Sequence, residues 1–335
     1  MFVNKILVLG SGAWATALSQ VLLTNKDNEV SIYGINQDEL NDLSHQKNTK
    51  FFPSLRLPYA YYAIYNNLDI LQTKQFDYLL LAVPSCAIES LLNEIKQKTN
   101  FDFNLINAAK GFIIDKHDVI SNFILSLNYK HVKTYSCILG PGFAIDVINK
   151  RFTVLNVLSH QLENAKKICK MFDTSWFKTI PCGHVHAGEL VSSLKNPLAI
   201  VVGILQGMNI SINVISAFVT KGIQEIVQLL KELGYDFEIM QQYCGIGDIF
   251  LTCSSDKSRN YSFGVNLVKY QTVAKTKEHF TKTVEGIDAC KVAQYLFNKY
   301  NVPTIIFHNL YLLLNNELDV PSFLEKCKAE FFSLK

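Results

Sequence analysis

The sequence has few charged residues for its size. Charged side chains make up 18% of the 335 residues and apolar ones 49%, whereas a typical soluble domain is about 25% charged. This composition excludes a disordered chain, a coiled coil and a chain with an acidic or basic tail. The net charge is only 32 − 29 = +3, so we expect no nucleic-acid partner. A small net charge does not exclude a local basic pocket.

The sequence also lacks close cysteine pairs. Its eight cysteines are scattered from Cys86 to Cys327 without a C-x-x-C spacing, and disulfide frameworks belong to short secreted domains. We therefore expect free thiols and a cytoplasmic location. Residues 1–10 hold one lysine and a short apolar run that ends in a glycine, which is typical of a first strand rather than a signal peptide.

No uninterrupted membrane span is present in the sequence. The longest apolar stretch, residues 198–218, contains Gln206, Asn209, Ser211 and Asn213. A transmembrane helix needs about 20 consecutive, mostly apolar residues. We therefore expect a buried helix over this stretch and no membrane span.

Short apolar runs alternate with helical patterns in the first half of the chain. The predicted strands are residues 5–9, 29–33, 78–83, 104–108 and 135–138, with candidate late strands at 154–158 and 179–180. The predicted helices between them are residues 13–24, 37–44 and 87–98. Continuously apolar strands suit a parallel sheet that is covered on both faces, and the alternation favours a doubly wound sheet.

Strand patterns fade after about Cys182, and helical patterns follow. The predicted helices are residues 190–208, 215–233, 265–270, 289–299 and 304–314. The predicted fold class is therefore α/β, with an N-terminal Rossmann-like doubly wound sheet followed by an all-α C-terminal domain. We expect a dinucleotide-binding Rossmann-like domain at residues 1–186 and a helical substrate-binding domain at residues 187–335.

Glycine is scarce, with 16 residues, so its clusters are informative. Residues 10–17 (GSGAWATA) follow the first predicted strand and open a helix. In the G-x-G-x-x-(G/A) arrangement, the glycines allow a tight turn and a close approach to a pyrophosphate, and the helix N-terminus supplies amide donors. An ordinary glycine turn is the alternative, but the strand–turn–helix context favours nucleotide binding.

The expected ribose-binding residue is missing from the end of the second predicted strand. A Rossmann domain carries an acidic residue about 20 positions after the glycines for the ribose of NAD, or an arginine for the 2′-phosphate of NADP. Residues 33–36 here read YGIN, with neither residue type. The choice between NAD and NADP stays open.

Three further segments follow predicted strands: residues 81–85 (LAVPS), 108–111 (AAKG) and 140–144 (GPGFA). In an open α/β sheet, such strand ends line the cofactor crevice. Lys110 is therefore a candidate to bind an anion or polarise a carbonyl, and Gly140 and Gly142 expose backbone amides. Each segment taken alone is also compatible with an ordinary turn or a solvated loop.

In the second half, Lys195 lies beside Asn196 in an apolar helical pattern. A buried cation is costly unless it is paired or used, and a lysine buried beside another cation would suit acid–base chemistry near neutrality. The alternative is a lysine whose ammonium reaches the surface.

The segment from Gly245 to Asn260 combines a carboxylate with phosphate-binding residue types. Asp248 is placed to hold a neighbouring lysine, and Ser258-Arg259-Asn260 offers a cation and neutral donors for a phosphate. An irregular loop with a capping aspartate is the alternative.

Taken in order, these segments resemble the bacterial type of NAD(P)-dependent glycerol-3-phosphate dehydrogenase. The match also includes residues 48–53 (NTKFFP), 252–253 (TC), 284–286 (VEG) and Pro303. It spans nearly the whole chain, and this many motifs in the right order and spacing are highly specific.

The resemblance implies NAD(P)H-dependent, reversible reduction of dihydroxyacetone phosphate to sn-glycerol 3-phosphate, which supplies glycerophospholipid synthesis, and it implies a homodimer. Lys195 would be the proton donor in reduction and the acceptor in oxidation, flanked by Lys110 and Asp248. The implied substrate-binding residues are Lys110, Gly140, Gly142, Lys195, Asp248, Ser258, Arg259 and Asn260. The implied cofactor-binding residues are Gly10, Ser11, Gly12, Trp14, Lys110, Ala144, Arg259 and Glu285.

The chain departs from the family pattern at a few uncharged positions. Ala15 replaces a usual glycine, Gly142 a usual serine or threonine, and Ser192-Ser193 a usual Gly-Ala pair. Pro197 stands where a β-branched residue is common, and it would remove a backbone donor and bend the helix near Lys195. Every charged catalytic position remains filled.

Two other functions compete with this interpretation: a related hydroxyacid or keto-acid reductase, and a non-enzymatic dinucleotide sensor. The pattern His184-x-His186-x-x-Glu189 has a ligand-like spacing, but nothing completes it, so we expect no metal. Cys253 lies beside the proposed site without a pattern that indicates a nucleophile, so we expect a packed thiol.

Overall fold

The computed structural model describes residues 3–332. The chain divides into two compact units, which we call the sheet unit (Met1–Ile113 and Ile120–Val185) and the helical unit (Ile114–Val119 and His186–Lys335). That the chain consists of two domains with their boundary between residues 186 and 187 stays a prediction.

Among the described residues, ten strands form, nearly all of them in the first half of the chain. They are β1 Asn4–Leu9, β2 Asn28–Tyr33, β3 Ile64–Tyr65, β4 Tyr78–Leu81, β5 Phe103–Asn107, β6 Phe112–Ile113, β7 Asp118–Val119, β8 Val132–Leu139, β9 Thr153–Ser159 and β10 Phe177–Cys182. Eight of them build the main sheet of the sheet unit, in the order β10-β9-β8-β5-β4-β1-β2-β3.

Helices cover the sheet within the same unit. They are α1 Ala13–Leu22, α2 Gln37–Ser44, α3 Ile88–Lys98, α4 Ile120–Ser126, α5 Ala144–Ile148 and α6 Leu162–Phe172, with 3₁₀ turns at Leu68–Gln72 and Ser85–Ala87. The side chains of Ile6 and Val8, on one face of β1, are fully buried and belong to one core cluster with residues of α1 and α6. Leu7 and Leu9, on the opposite face of the strand, are also fully buried. Burial on both faces explains why these strands are continuously apolar.

The sheet is parallel except between β8 and β9, which pair antiparallel. The expectation of a parallel sheet is therefore wrong at this edge, although β10 runs parallel to β9. The connection from β8 to β9 contains only the five-residue helix α5, which spans about 7.5 Å. The eight-residue β8 spans about 26 Å, so α5 is too short to serve as the crossover helix that usually returns the chain to start a parallel neighbour.

In the part of the helical unit that the structure describes, every regular element apart from β7 is a helix or a helical turn. They are α7 Val185–Gly207, α8 Ile212–Glu232, α9 Asp248–Cys253, α10 Arg259–Tyr270, α11 Val273–His279, α12 Glu285–Lys299, α13 Ile306–Leu314 and α14 Val320–Phe332, with 3₁₀ turns at Ile114–Lys116 and Phe237–Gln241 and a π-helical turn at Tyr243–Gly247. The predicted fold class, a Rossmann-like sheet followed by a helical C-terminal region, is confirmed.

The apolar stretch 198–218 joins two helices, which confirms the helices predicted over residues 190–208 and 215–233; the expectation of one buried helix over the whole stretch is wrong. α7 ends at Gly207 and α8 begins at Ile212, and Asn209 in the turn between them has a positive φ of 56°, which asparagine tolerates better than most residues. By length and composition α7 is apolar enough to cross a membrane, but its most apolar 18-residue window is 100% buried. That is the pattern of a core helix.

Candidate functional site

The glycine-rich loop follows β1 at the carboxyl end of the sheet. Gly10 has a φ of +123°, and a Cβ there would come within 2.5 Å of the Ala82 carbonyl oxygen at the end of β4. Its N–H donates to Tyr33 O in β2 at 2.8 Å. Only glycine fits this turn without strain, and the loop is thereby anchored to the strands on both sides of β1.

Gly12 leaves the N-terminus of α1 open. A Cβ added at Gly12 would have no non-adjacent heavy atom of the described chain within 4 Å. Within the described chain, no side chain caps α1, and its first turn holds no acidic residue. The first N–H groups of a helix lack intrahelical partners and carry positive potential. A pyrophosphate can approach the N-terminus of α1 closely because Gly12 leaves space there, and the uncapped N–H groups can donate to its oxygens.

Trp14, in the first turn of α1, packs against the loop that follows β8. A Cβ at Gly142 would meet the Trp14 ring at 3.1 Å, and Ala144 begins α5 two residues later. The indole Nε1 of Trp14 is buried and has no hydrogen-bond partner among the described residues. Since buried donors are normally satisfied, this nitrogen offers a hydrogen bond to a bound group, and the loop residues fit a dinucleotide.

Lys110 lies half-buried just beyond the end of β5. Its ammonium donates to the Gly140 carbonyl oxygen, at the end of neighbouring β8, over 2.9 Å. A Cβ at Gly111 would come within 2.5 Å of Ser85 Oγ, so this loop also packs on the turn after β4. The structure thus brings together the four strand-end segments that the sequence singled out within the sheet unit.

A buried ion pair lies within the helical unit. The Lys195 ammonium, on α7, pairs with the Asp248 carboxylate at the start of α9, and their side chains are 4% and 1% exposed. The ammonium also donates to Thr252 Oγ1 at 2.8 Å, while that hydroxyl donates to Asp248 O at 2.6 Å. Burial makes the carboxylate partner necessary, because an unpaired charge would be strongly destabilising here.

The π-helical turn before α9 places Asp248. Within it, Gly245 has a non-helical ψ of −114°, and a Cβ there would lie 2.3 Å from Ile239 O. The turn therefore packs backbone against backbone, which positions the α9 N-terminus. Cys253, at the other end of α9, is almost fully buried, and this burial raises the pKa of its thiol to about 12. It is a packed thiol at neutral pH rather than a nucleophile.

Ser258, Arg259 and Asn260 open α10. Ser258 Oγ accepts from the Tyr261 N–H at 3.3 Å and caps the helix, while the Arg259 side chain is exposed. The sequence pattern predicted this helix only over residues 265–270, because it did not include the serine cap.

Asn260 links three helices of the helical unit. Its Nδ2 donates to Asn196 Oδ1 on α7 at 3.0 Å, and its Oδ1 accepts from the Gly286 N–H on α12 at 2.9 Å. A Cβ at Gly286 would lie 2.8 Å from Asn260 Oδ1. Glu285, one residue earlier, is thereby placed beside Asn260.

Three residues received no role from sequence reasoning but contact the site. Thr252 holds the Lys195 ammonium, as described above. Asn196 is 4% exposed, and its Nδ2 has no hydrogen-bond partner among the described residues. Ser192 Oγ donates to Asp248 Oδ2 over a long 3.5 Å. One helical turn separates Ser192 from Lys195, which is the signal that could have identified it.

The histidine pattern at residues 184–189 takes part in packing. The His186 ring stacks on Tyr235 with centroids 5.8 Å apart. Within residues 3–332, no group of three or more histidine, cysteine or acidic side chains is arranged to hold a metal ion. Pro197 lies inside α7, which continues as a helix to Gly207.

Comparison with known proteins places both halves of the chain in one family. Residues 5–165 match the family model described as NAD-dependent glycerol-3-phosphate dehydrogenase N-terminus. Residues 184–325 match the model described as NAD-dependent glycerol-3-phosphate dehydrogenase C-terminus.

Relatives agree with the family models, and a solved structure shares the fold. The chain is 37% identical over 339 aligned positions to glycerol-3-phosphate dehydrogenase [NAD(P)+] of Malacoplasma penetrans, covering 100% of this chain and 99% of the relative. It is 31% identical to the protein of the same name from Mesoplasma florum, covering 96% of each. The fold is similar to that of glycerol-3-phosphate dehydrogenase from Coxiella burnetii, with a TM-score of 0.88, 22% identity and 99% coverage of both chains.

These matches confirm the resemblance inferred from the motifs, and with it the enzyme class and a nicotinamide dinucleotide as cofactor. They extend over the glycine-rich loop and the buried ion pair alike. The chain belongs to the NAD-dependent glycerol-3-phosphate dehydrogenase family.

Proposed function

We propose that this protein catalyses the reversible, NAD(P)H-dependent reduction of dihydroxyacetone phosphate to sn-glycerol 3-phosphate, which supplies glycerophospholipid synthesis. The observation that carries the proposal is the buried Lys195–Asp248 pair with Thr252 at hydrogen-bond distance. The relatives named above share the whole length of the chain, which supports transfer of their named substrate.

Lys195 acts as the proton donor in reduction. When bound, the nicotinamide supplies the hydride. As the substrate carbonyl becomes an alcohol, negative charge develops on its oxygen, and the Lys195 ammonium stabilises that charge and then donates a proton to the oxygen. In the oxidation direction, the neutral amine of Lys195 accepts the hydroxyl proton.

Asp248 and Thr252 hold Lys195 for this step. The carboxylate compensates the buried ammonium, and the Thr252 hydroxyl oxygen accepts a hydrogen bond from the ammonium. These two contacts orient the ammonium for the proton transfer. Lys110, whose ammonium donates to Gly140 O, is proposed to act on the same substrate as a second cation.

The phosphate of the substrate is bound remotely from the reacting carbon. We assign this role to Ser258, Arg259 and Asn260, with backbone contacts from Gly140 and Gly142. The exposed Arg259 guanidinium offers a charge-assisted fork for phosphate oxygens. Binding energy from the phosphate orients the carbonyl and favours the transition state.

The cofactor is held mainly by the loop after β1. The pyrophosphate and the adjoining parts of the dinucleotide bind at the uncapped N-terminus of α1, where the contacts come from Gly10, Ser11, Gly12 and Trp14. The additional cofactor contacts are Lys110, Ala144, Arg259 and Glu285. We further propose a cytoplasmic homodimer that has no nucleic-acid partner, with the domain boundary between residues 186 and 187.

Initial rates test this function directly. Purified full-length protein is assayed with NADH and with NADPH against dihydroxyacetone phosphate. Parallel assays use 2-keto acids, and dihydroxyacetone, which lacks the phosphate. We expect rapid cofactor oxidation only with the phosphorylated ketone. Turnover of 2-keto acids instead would favour the keto-acid reductase alternative, and stoichiometric cofactor binding without turnover would favour a sensor.

A further inference from the structure

The end of β2 lies directly against the glycine-rich loop of the sheet unit. β1 and β2 are parallel neighbours with Leu9 opposite Tyr33. A Cβ at Gly34 would come within 2.8 Å of Ser11 Oγ. In Rossmann domains, this corner receives the ribose that carries the 2′-hydroxyl of NAD or the 2′-phosphate of NADP.

Glu39 supplies the carboxylate that the end of β2 lacks. It lies in the first turn of α2 and is only 8% exposed. The Ser11 hydroxyl donates to Glu39 Oε2 at 2.5 Å, and the Lys50 ammonium lies 2.7 Å from Oε1. The hydrogen bond to Ser11 therefore holds a negative charge against the glycine-rich loop.

The groups around this corner disfavour a phosphate. Ile35, which is 87% exposed, and Asn36 stand where an NADP-binding domain would place an arginine. Asn36 Oδ1 accepts from the Glu39 N–H, and Asp38 and Glu39 occupy the positive end of α2. The charge of Lys50, the nearby cation, is compensated by Glu39.

We propose that Glu39 makes this protein select NAD(H) over NADP(H). Each carboxylate oxygen has a second lone pair, so Glu39 accepts a hydrogen bond from the ribose 2′-hydroxyl while keeping its bond to Ser11. A 2′-phosphate at the same place would be repelled by the negative charge of Glu39. The Lys50 ammonium neutralises that charge but leaves no excess positive charge for the phosphate. The inference rests on the proposed function, whose cofactor it specifies.

Equilibrium binding to the wild-type protein is the first test. Fluorescence titrations of the full-length protein with NADH and with NADPH, at one fixed ionic strength, measure the two dissociation constants without turnover. We expect NADH to bind roughly tenfold or more tightly than NADPH, since like-charge juxtaposition costs well over a factor of ten. Equal binding, or tighter binding of NADPH, would assign Lys50 as a phosphate ligand and overturn the inference.

Removing the charge of Glu39 is the second test. Glu39→Gln keeps an oxygen that can accept from Ser11, and it should tighten NADPH binding by about tenfold while changing NADH binding less than about threefold. Glu39→Ala removes the same charge if the glutamine variant does not fold. Glu163→Gln is the matched control, because Glu163 is an exposed glutamate of the same unit, paired with Lys166; it should leave both constants unchanged.

The outcomes separate this inference from the proposed function. An unchanged ratio of the two dissociation constants in both Glu39 variants would overturn the role of Glu39 alone. Failure of the wild-type protein to bind either dinucleotide would contradict the proposed function and this inference together.

Discussion

Lys195 and Asp248, 53 residues apart in the chain, form an ion pair that is almost completely buried in the helical unit. Burying two charges costs several kcal/mol per ion, which their mutual attraction and further hydrogen bonds must offset. Such a pair contributes little to stability compared with apolar packing. Its presence in an otherwise apolar helix indicates a chemical role.

Asp248→Asn should destabilise the protein by about 3–5 kcal/mol, because it leaves the Lys195 ammonium buried without a compensating charge. Urea denaturation of the variant measures this loss. Adding Lys195→Met to the same chain should restore part of the stability, since no uncompensated charge then remains. The exposed pair Lys291–Asp288 provides the control: Asp288→Asn should change stability by less than about 1 kcal/mol. Equal losses at the two aspartates would contradict the buried pairing.

Lys195→Met should lower kcat by about 10²–10⁴-fold, because the alcohol oxygen loses its proton donor. NADH affinity should change little, since the glycine-rich loop belongs to the sheet unit. The two readouts are NADH oxidation with dihydroxyacetone phosphate and fluorescence titration with NADH. Lys291→Met, at an exposed lysine of the same unit, should keep full activity. Unchanged turnover in Lys195→Met would refute the assigned role.

Gly10→Ala and Gly12→Ala should separate folding from cofactor binding. Gly10 has a positive φ, and an added Cβ would clash with Ala82 O. Alanine at this position should therefore lower the free energy of unfolding by about 1–3 kcal/mol and lower Tm. Gly12 has an ordinary φ of −70° and open space beside it. Alanine at Gly12 should change stability by less than about 1 kcal/mol but weaken NADH binding by obstructing the pyrophosphate. Calorimetry and NADH titration check the two effects; retained NADH affinity in Gly12→Ala would argue against this binding mode.

Cysteine labelling should distinguish Cys86 from Cys253. Cys86 is exposed, whereas burial raises the pKa of the Cys253 thiol to about 12. Because a raised pKa favours the protonated form, the reactive thiolate of Cys253 is roughly one part in a thousand at pH 9, three pH units below that pKa. Iodoacetamide at pH 7 and pH 9, followed by peptide mass spectrometry, should modify Cys86 first and Cys253 only after unfolding. Early modification of Cys253 would show that the site is open to reagent.

Elements with strong local patterns were predictable from the sequence. The helix at residues 37–44 matches α2, because its cap and apolar spacing are local features. Six helices received no prediction from their patterns: α4, α5, α6, α9, α11 and α14. The antiparallel pairing of β9 was also missed, because strand direction depends on how far the preceding connection travels.

The sequence by itself determined the fold class, the glycine turn at Gly10 and Gly12, and the spacing of the charged residues that we propose for the site. These features follow from local backbone preferences, apolar periodicity and residue types at fixed spacing. Only the tertiary structure decided which side chains meet, such as Lys195 with Thr252 and Ser11 with Glu39. Such contacts join residues far apart in the chain, and packing of whole helices and strands, rather than any local pattern, sets their distances.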